Sequence, residues 1–195
     1  NMDPITRRGF LIGAAGAAGL FVVGGVAVAL DAPEERSLLR PPGAQDEVRL
    51  LANCIKCDRC RSVCPTGAIV TALVEDGLAE ARTPLLDFHR GYCDFCGKCL
   101  EVCPTSAIVA FDEAREKIGI AVIDESECVA FRQGGCRVCV DACPYQAISV
   151  DGSGRPVVDE VVCNGCGVCE YVCPSATYGS YSGSGTRGVN VEARG

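Results

Sequence analysis

The chain has 195 residues, with 25 acidic against 18 basic side chains and a formal net charge of −7. That balance excludes the basic footprint a nucleic-acid binder needs to meet phosphates. Aromatics make up 6% of the residues, with no Trp, one His and one Met, yet 16 residues are Cys, so thiols stand where an ordinary core would place large apolar side chains.

The first segment reads as a targeting element rather than as part of the fold. Thr6-Arg7-Arg8-Gly9-Phe10-Leu11 is a twin-arginine pattern, followed by the uncharged, Ala-, Gly- and Val-rich stretch Phe10 to Leu30. Twin-arginine leaders direct bacterial export, and cargo that acquires metal clusters before export must cross already folded. Ala27-Val28-Ala29 offers a cleavage site after Ala29. The stretch is also about long enough to span a bilayer as a helix, and the Arg pair before it suits an anchor with its N-terminus inside. Retention as a signal-anchor is the preferred reading, with residues 1–30 as signal or membrane anchor. Residues 31–53 follow as a linker, in which Arg40-Pro41-Pro42-Gly43 is unsuited to helix and Asp46 to Asn53 forms one short helix.

From residue 54 to 174 the Cys spacing repeats four times. The runs are Cys54-x2-Cys57-x2-Cys60-x3-Cys64-Pro65, Cys93-x2-Cys96-x2-Cys99-x3-Cys103-Pro104, Cys128-x7-Cys136-x2-Cys139-x3-Cys143-Pro144 and Cys163-x2-Cys166-x2-Cys169-x3-Cys173-Pro174. All 16 Cys are used. This is the bacterial [4Fe–4S] run, in which three Cys at x2 steps reach one cubane and the fourth ligates the other cluster of a pair. The Pro after the fourth Cys turns the chain. Gly97, Gly165 and Gly167 let backbone N–H groups approach the sulfurs and tune the potential. Disulfide frameworks lack this regular spacing. Zinc ribbons need only paired C-x2-C steps or His ligands. Four [4Fe–4S] clusters on the sixteen Cys are therefore expected. The seven-residue gap before Cys136 admits two readings, a harmless insertion eased by Gly134-Gly135, or a loop whose Phe131 and Arg132 shield a cluster or touch a partner.

The pattern predicts an α+β fold of tandem or nested ferredoxin-like units. Between the second and third runs, Ala107–Ala110 and Gly119–Ile123 read as two strands of one hairpin. Between the third and fourth, Ala147–Val150 and Pro156–Val162 flank the turn Asp151-Gly152-Ser153-Gly154. Between the first and second, Leu73–Arg82 reads as helix and no hairpin is evident. This favours a nested pairing, second run with third and first with fourth, with sequential pairing as the alternative. Residues 175–195, rich in Ser and Gly, read as an extended tail. His89, the single His, reads as a surface or strand side chain. No Rossmann glycine pattern, phosphate loop or nucleophile elbow is present, so an electron carrier without catalytic residues is expected.

With these features the chain resembles the ferredoxin-type NapG/MauM family. The resemblance rests on the leader Thr6 to Leu11, on Leu39-Arg40-Pro41-Pro42-Gly43-Ala44, on Gly119-Ile120-Ala121-Val122 and on the Cys128-x7-Cys136 gap. It implies a periplasmic, membrane-associated carrier that takes electrons from a polytopic quinol-oxidising membrane partner. The electrons would pass towards a c-type cytochrome or a periplasmic oxidoreductase. The regular second run departs from relatives with a longer middle gap there. A freely diffusing periplasmic polyferredoxin and a cluster-bearing maturation factor are the alternatives. Four oxidised clusters, each about −2 with its thiolates, would take the chain from −7 to about −15, which calls for a basic or redox-matched docking partner.

Overall fold

The computed structural model describes residues 37–113, 115–175 and 187–193. The leader and the apolar stretch Phe10–Leu30 lie outside them. Among the described residues no helix is long and apolar enough to cross a membrane.

The elements are short. Helix α1 (Glu47–Asn53) is capped by Asp46, whose carboxylate accepts the Arg49 N–H at 3.0 Å, the expected arrangement for an Asp before a helix. Then come α2 (Arg59–Ser62), strands β1 (Ile69–Thr71) and β2 (Pro84–Leu86), α3 (Lys98–Glu101) and β3 (Ile120–Ile123). Helices α4 (Val129–Arg132) and α5 (Val138–Ala142), hairpin strands β4 (Ile148–Val150) and β5 (Pro156–Val158), α6 (Val168–Tyr171) and β6 (Val189–Glu192) complete the set. The strands pair antiparallel as β1 with β2, β3 with β6 and β4 with β5.

The β4–β5 hairpin sits where the Asp151-Gly152 turn predicts. Asp151 Oδ1 accepts from Ser153 N at 2.8 Å and Arg155 N at 2.9 Å. Three expectations are corrected. Leu73–Arg82 is not a helix. It holds one 3-10 turn, Val74–Asp76, which ends at Gly77 with φ 133. Leu78 is 82% exposed, so this loop packs no apolar face that would support a helix. The loop instead closes a hairpin between the first and second runs, with Ala72 N donating to Thr83 O and Arg82 N to Ala72 O, both at 2.8 Å.

Next, Ala107–Ala110 does not pair with Ile120–Ile123. Val109 N instead donates to Gly43 O at 3.1 Å. Pro41 and Pro42 have no N–H to extend that contact into a ladder. Ala107 and Ile108 instead form a small core with Ala44 and Leu50. Finally, the partner of β3 comes from the segment read as an extended tail: Val189–Glu192 pairs with it, Val189 facing Ile123 and Glu192 facing Ile120. Val189 and Val191 are buried there.

Residues 37–53 are also packed in. Arg40, 2% exposed, donates to Glu47, to Thr83 Oγ1 at 2.8 Å and to Pro84 O at 2.8 Å. A larger core holds Ala68, Ile69, Leu86 and Phe88 from the first half together with Ile118, Ala147, Ile148 and Val189 from the second. Phe88, 2% exposed, seals this junction. Gly167 at φ +80 comes so close that a Cβ there would lie 2.1 Å from the ring. Gly167→Ala therefore combines a left-handed penalty with overpacking and is expected to cost about 3 kcal/mol. A thermal unfolding midpoint for the iron-loaded variant equal to that of the parent would contradict this packing.

Candidate iron–sulfur centres

None of the sixteen thiols is joined in a disulfide. They line four cavities, four to each. Cavity I is lined by Cys54, Cys57, Cys60 and Cys103. Cavity II is lined by Cys64, Cys93, Cys96 and Cys99. Cavity III has Cys143, Cys163, Cys166 and Cys169, and cavity IV has Cys128, Cys136, Cys139 and Cys173. In every case the first three Cys of one run meet the fourth Cys of another, as the run chemistry requires. The pairing is sequential, first run with second and third with fourth. This corrects the nested expectation, and its physical basis is the β1–β2 hairpin, which folds the second run back onto the first.

The backbone explains how three thiols reach one cavity. In three runs the residues on both sides of the middle Cys are left-handed: Lys56 (φ 56) and Asp58 (φ 63), Phe95 (φ 54) and Gly97 (φ 72), Gly165 (φ 75) and Gly167 (φ 80). This reverses the chain within a few bonds and turns its N–H groups inward. Glycine takes the conformation without penalty, whereas Lys56, Asp58 and Phe95 each pay about 1 kcal/mol. The third run is built differently. Gly135 is left-handed but Arg137 has φ −130. The seven-residue gap winds into α4, entered from Cys128, and Phe131 lies under the guanidinium of Arg155 at 4.8 Å from its ring centroid. This cation–π contact pins the inserted turn to the β4–β5 hairpin.

A second repeated device was not singled out in the sequence. Two residues past the fourth Cys, a hydroxyl meets its sulfur: Thr66 at 3.4 Å from Cys64, Thr105 at 3.9 Å from Cys103 and Ser175 at 3.2 Å from Cys173. The signal was present as Cys-Pro followed by Ser or Thr in three of the runs, with Tyr145 in the remaining one. Further along, Ala147 N donates to Cys143 Sγ at 3.3 Å. Burial acts upward on the thiols of Cys64 and Cys103. The Thr66 hydroxyl and the N–H groups of Ile69, Thr66 and Ala68 outweigh it at Cys64. At Cys103 the N–H groups of Ile108, Thr105 and Ala107 do so with the Thr105 hydroxyl, and both thiols fall below the ordinary value.

At several other thiols burial wins. It pushes Cys60, Cys93 and Cys139 up to about 12 and Cys99 and Cys166 up to about 11, with neighbouring thiolates adding to the rise. Cys169 is raised by the same causes. Four thiolates in one buried cavity are thus unfavourable without cationic charge among them. Among the described residues no group of three His, Cys, Asp or Glu is gathered for a single metal ion. The donor set of four separated thiols with inward N–H and hydroxyl donors suits a polynuclear iron–sulfur group.

Cavities I and II adjoin because their fourth thiols cross, as do III and IV. Cavities II and III are tied directly: Cys93 N donates to Cys166 O at 2.8 Å, and the Phe95 and Tyr145 rings meet edge-on at 6.3 Å. His89 lines none of the four. It lies 3.3 Å from Glu170, whose other oxygen accepts the Val191 N–H at 2.6 Å.

Two family descriptions of the same kind, 4Fe-4S dicluster domain, match residues 53–108 and residues 92–133 with 134–177. The second divides the chain differently from the thiol pairing observed, which joins 54–103 and 128–173. The chain is 34% identical over 188 residues to the methylamine utilization ferredoxin-type protein MauM of Paracoccus denitrificans, covering 87% of this chain and 83% of that one. It is 34% identical over 189 residues to the ferredoxin-type protein NapG of Escherichia coli K12, covering 86% and 80%. The chain belongs to the NapG/MauM family of ferredoxin-type proteins. The ferredoxin-type protein NapF of Haemophilus influenzae is also 34% identical, over 142 residues, with coverage of 70% and 74%. The chain is a ferredoxin-type 4Fe–4S electron-transfer protein, consistent with the absence of a catalytic motif in its sequence.

The crossing of the thiols makes a distinct prediction. Cys103→Ser should alter the same cluster signal as Cys57→Ser, and Cys173→Ser a different one. Electron paramagnetic resonance of the three reduced variants checks this. Coincidence of the Cys57 and Cys173 effects would instead support the nested pairing.

Proposed function

We propose that the sixteen Cys named above hold four [4Fe–4S] clusters, one in each cavity. The chain then serves as the electron-relay subunit of a membrane-associated, quinol-linked complex on the periplasmic side of the bacterial inner membrane. The observation that carries this reading is the set of four cavities, each framed by three thiols of one run and the fourth of its neighbour. Each cluster, when bound, takes up and returns one electron. The residues of the chain supply the frame: thiolates to ligate, N–H and hydroxyl donors to hold charge on sulfur, and apolar packing to keep water out.

The adjoining cavities suggest the order I, II, III, IV, with the Cys93–Cys166 hydrogen bond as a backbone link between II and III. The two ends of the relay are therefore cavities I and IV. The twin-arginine pattern and the apolar stretch Phe10–Leu30 support export in the folded state and N-terminal anchoring. A polytopic quinol-oxidising membrane subunit as donor and a c-type cytochrome or periplasmic oxidoreductase as acceptor follow from the family resemblance.

Iron and acid-labile sulfide are expected at about sixteen atoms each per chain. About eight or fewer of each would defeat the four-cluster reading. N-terminal sequencing of the protein from bacterial membranes is expected to recover the segment Phe10–Leu30, and a mature chain starting after Ala29 would point to the freely diffusing alternative.

A further inference from the structure

The four cavities differ sharply in charge. Among the described residues, cavities III and IV are lined by no Asp, Glu, Lys, Arg or His. Cavity II has one of each sign, Asp94 and Lys98. Cavity I is lined by Lys56, Arg59, Arg61 and Arg82, against the single carboxylate of Asp58. This concentration of cations belongs to a chain whose formal charge is −7.

Lys56 donates to Ala79 O at 3.0 Å, but the three guanidinium groups are not spent on ion pairs with described residues. Arg40, Arg49, Arg90, Arg115 and Arg137 each meet a carboxylate within ion-pair distance. Arg59, Arg61 and Arg82 are exposed, and among the described residues none of them is in an ion pair with a carboxylate. Beside them Cys57, a thiol of cavity I, is itself exposed, and Ile55 is 61% exposed. At the opposite end Cys128 and Cys139 are buried. An apolar side chain and an exposed ligand sulfur ringed by unpaired guanidinium groups have the make-up of a small redox docking face.

We propose that cavity I is the electron-exit port of the relay, and that it docks a one-electron acceptor protein whose own docking face is acidic. This rests on the four-cluster reading above. Net charge alone points to a basic partner, but a partner responds to the local field where it approaches. Lining cations also favour the extra negative charge of a reduced cluster, and the described lining of cavities III and IV offers no such cation. Electrons therefore settle towards cavity I. The transfer is outer-sphere: the core there goes from 1+ to 2+, the acceptor is reduced by one electron, and no bond or proton moves. A protein is favoured over an anionic lipid surface because lipid accepts no electron and the chain as a whole is acidic.

The test uses the full-length, iron-loaded protein and the variant Arg59→Gln/Arg61→Gln/Arg82→Gln. Arg90→Gln/Arg115→Gln serves as a control of two exposed cations elsewhere. Fluorescence anisotropy with a labelled oligo-glutamate peptide at low salt is expected to show binding to parent and control, weakened about tenfold or more in the triple variant. A redox titration followed by electron paramagnetic resonance is expected to show one cluster of the triple variant shifted to lower potential, with the others unmoved. Equal peptide binding by parent and triple variant would overturn the proposal. So would binding to phosphatidylglycerol vesicles without binding to the peptide, or an unmoved set of potentials. Iron content, measured on the same samples, separates this from failure of the four-cluster reading: a low count with charge-dependent peptide binding would defeat the cluster number and leave the docking face standing.

Discussion

The fold depends on an exchange of thiols. Each run keeps three of its sulfurs and delivers the fourth to its neighbour, so neither cavity of a pair can be completed by one run alone. The Cys-Pro step makes this possible, because Pro ends the short helix carrying the third Cys and sends the chain on towards the hairpin. Little else would hold the molecule. Its strands are three or four residues long and its longest described helix has seven. Two-stranded ribbons of that length are marginal in water. The apolar core is correspondingly interleaved with Cys side chains. Metal ligation and folding are then one event, with binding free energy serving as folding free energy.

Local chemistry was legible in the sequence, and long-range pairing was not. The Cys spacing identified the type of site, Asp46 marked the start of α1, and Asp151-Gly152 marked the β4–β5 turn. Each of these signals works within a few residues. The first hairpin was hidden because its strands, Ile69–Thr71 and Pro84–Leu86, are three residues each and are separated by a loop long enough to read as an independent element. Without that hairpin the nested pairing looked preferable. The partner of β3 was equally invisible. Val189–Glu192 follows a Ser- and Gly-rich stretch, and only the alternation of Val189 and Val191, both turned inward, hints at a strand.

The left-handed residues show a similar division. Gly97, Gly165 and Gly167 could be anticipated as sites of close backbone approach, and the structure places all three beside a middle Cys of their runs. Lys56, Asp58 and Phe95 adopt the same conformation with side chains that give no warning of it. Here the cavity dictates the backbone and overrides local preference. In the first run the outcome is that charged side chains occupy positions filled by Gly in the fourth. The same backbone path therefore presents very different surfaces at the two sites. Sequence-wide charge averages this difference away, which is why the cationic rim of cavity I is invisible in a net value of −7.

The β3–β6 pair also has a consequence for the timing of synthesis. The strand that covers Ala121 and Cys163, with Ala121 N–H 3.5 Å from that sulfur, begins at Val189 and so leaves the ribosome after every one of the sixteen thiols. The half carrying the first two runs has all its strands by Leu86 and all its thiols by Cys103, and can close while translation continues, in keeping with domain-by-domain folding from the N-terminus. The second half cannot close until translation has passed Glu192. A chain cut between Pro174 and Val189 would carry all sixteen thiols and still lack the edge that shuts the last two cavities, so synthesis of this late strand is itself a condition of finishing the metal sites.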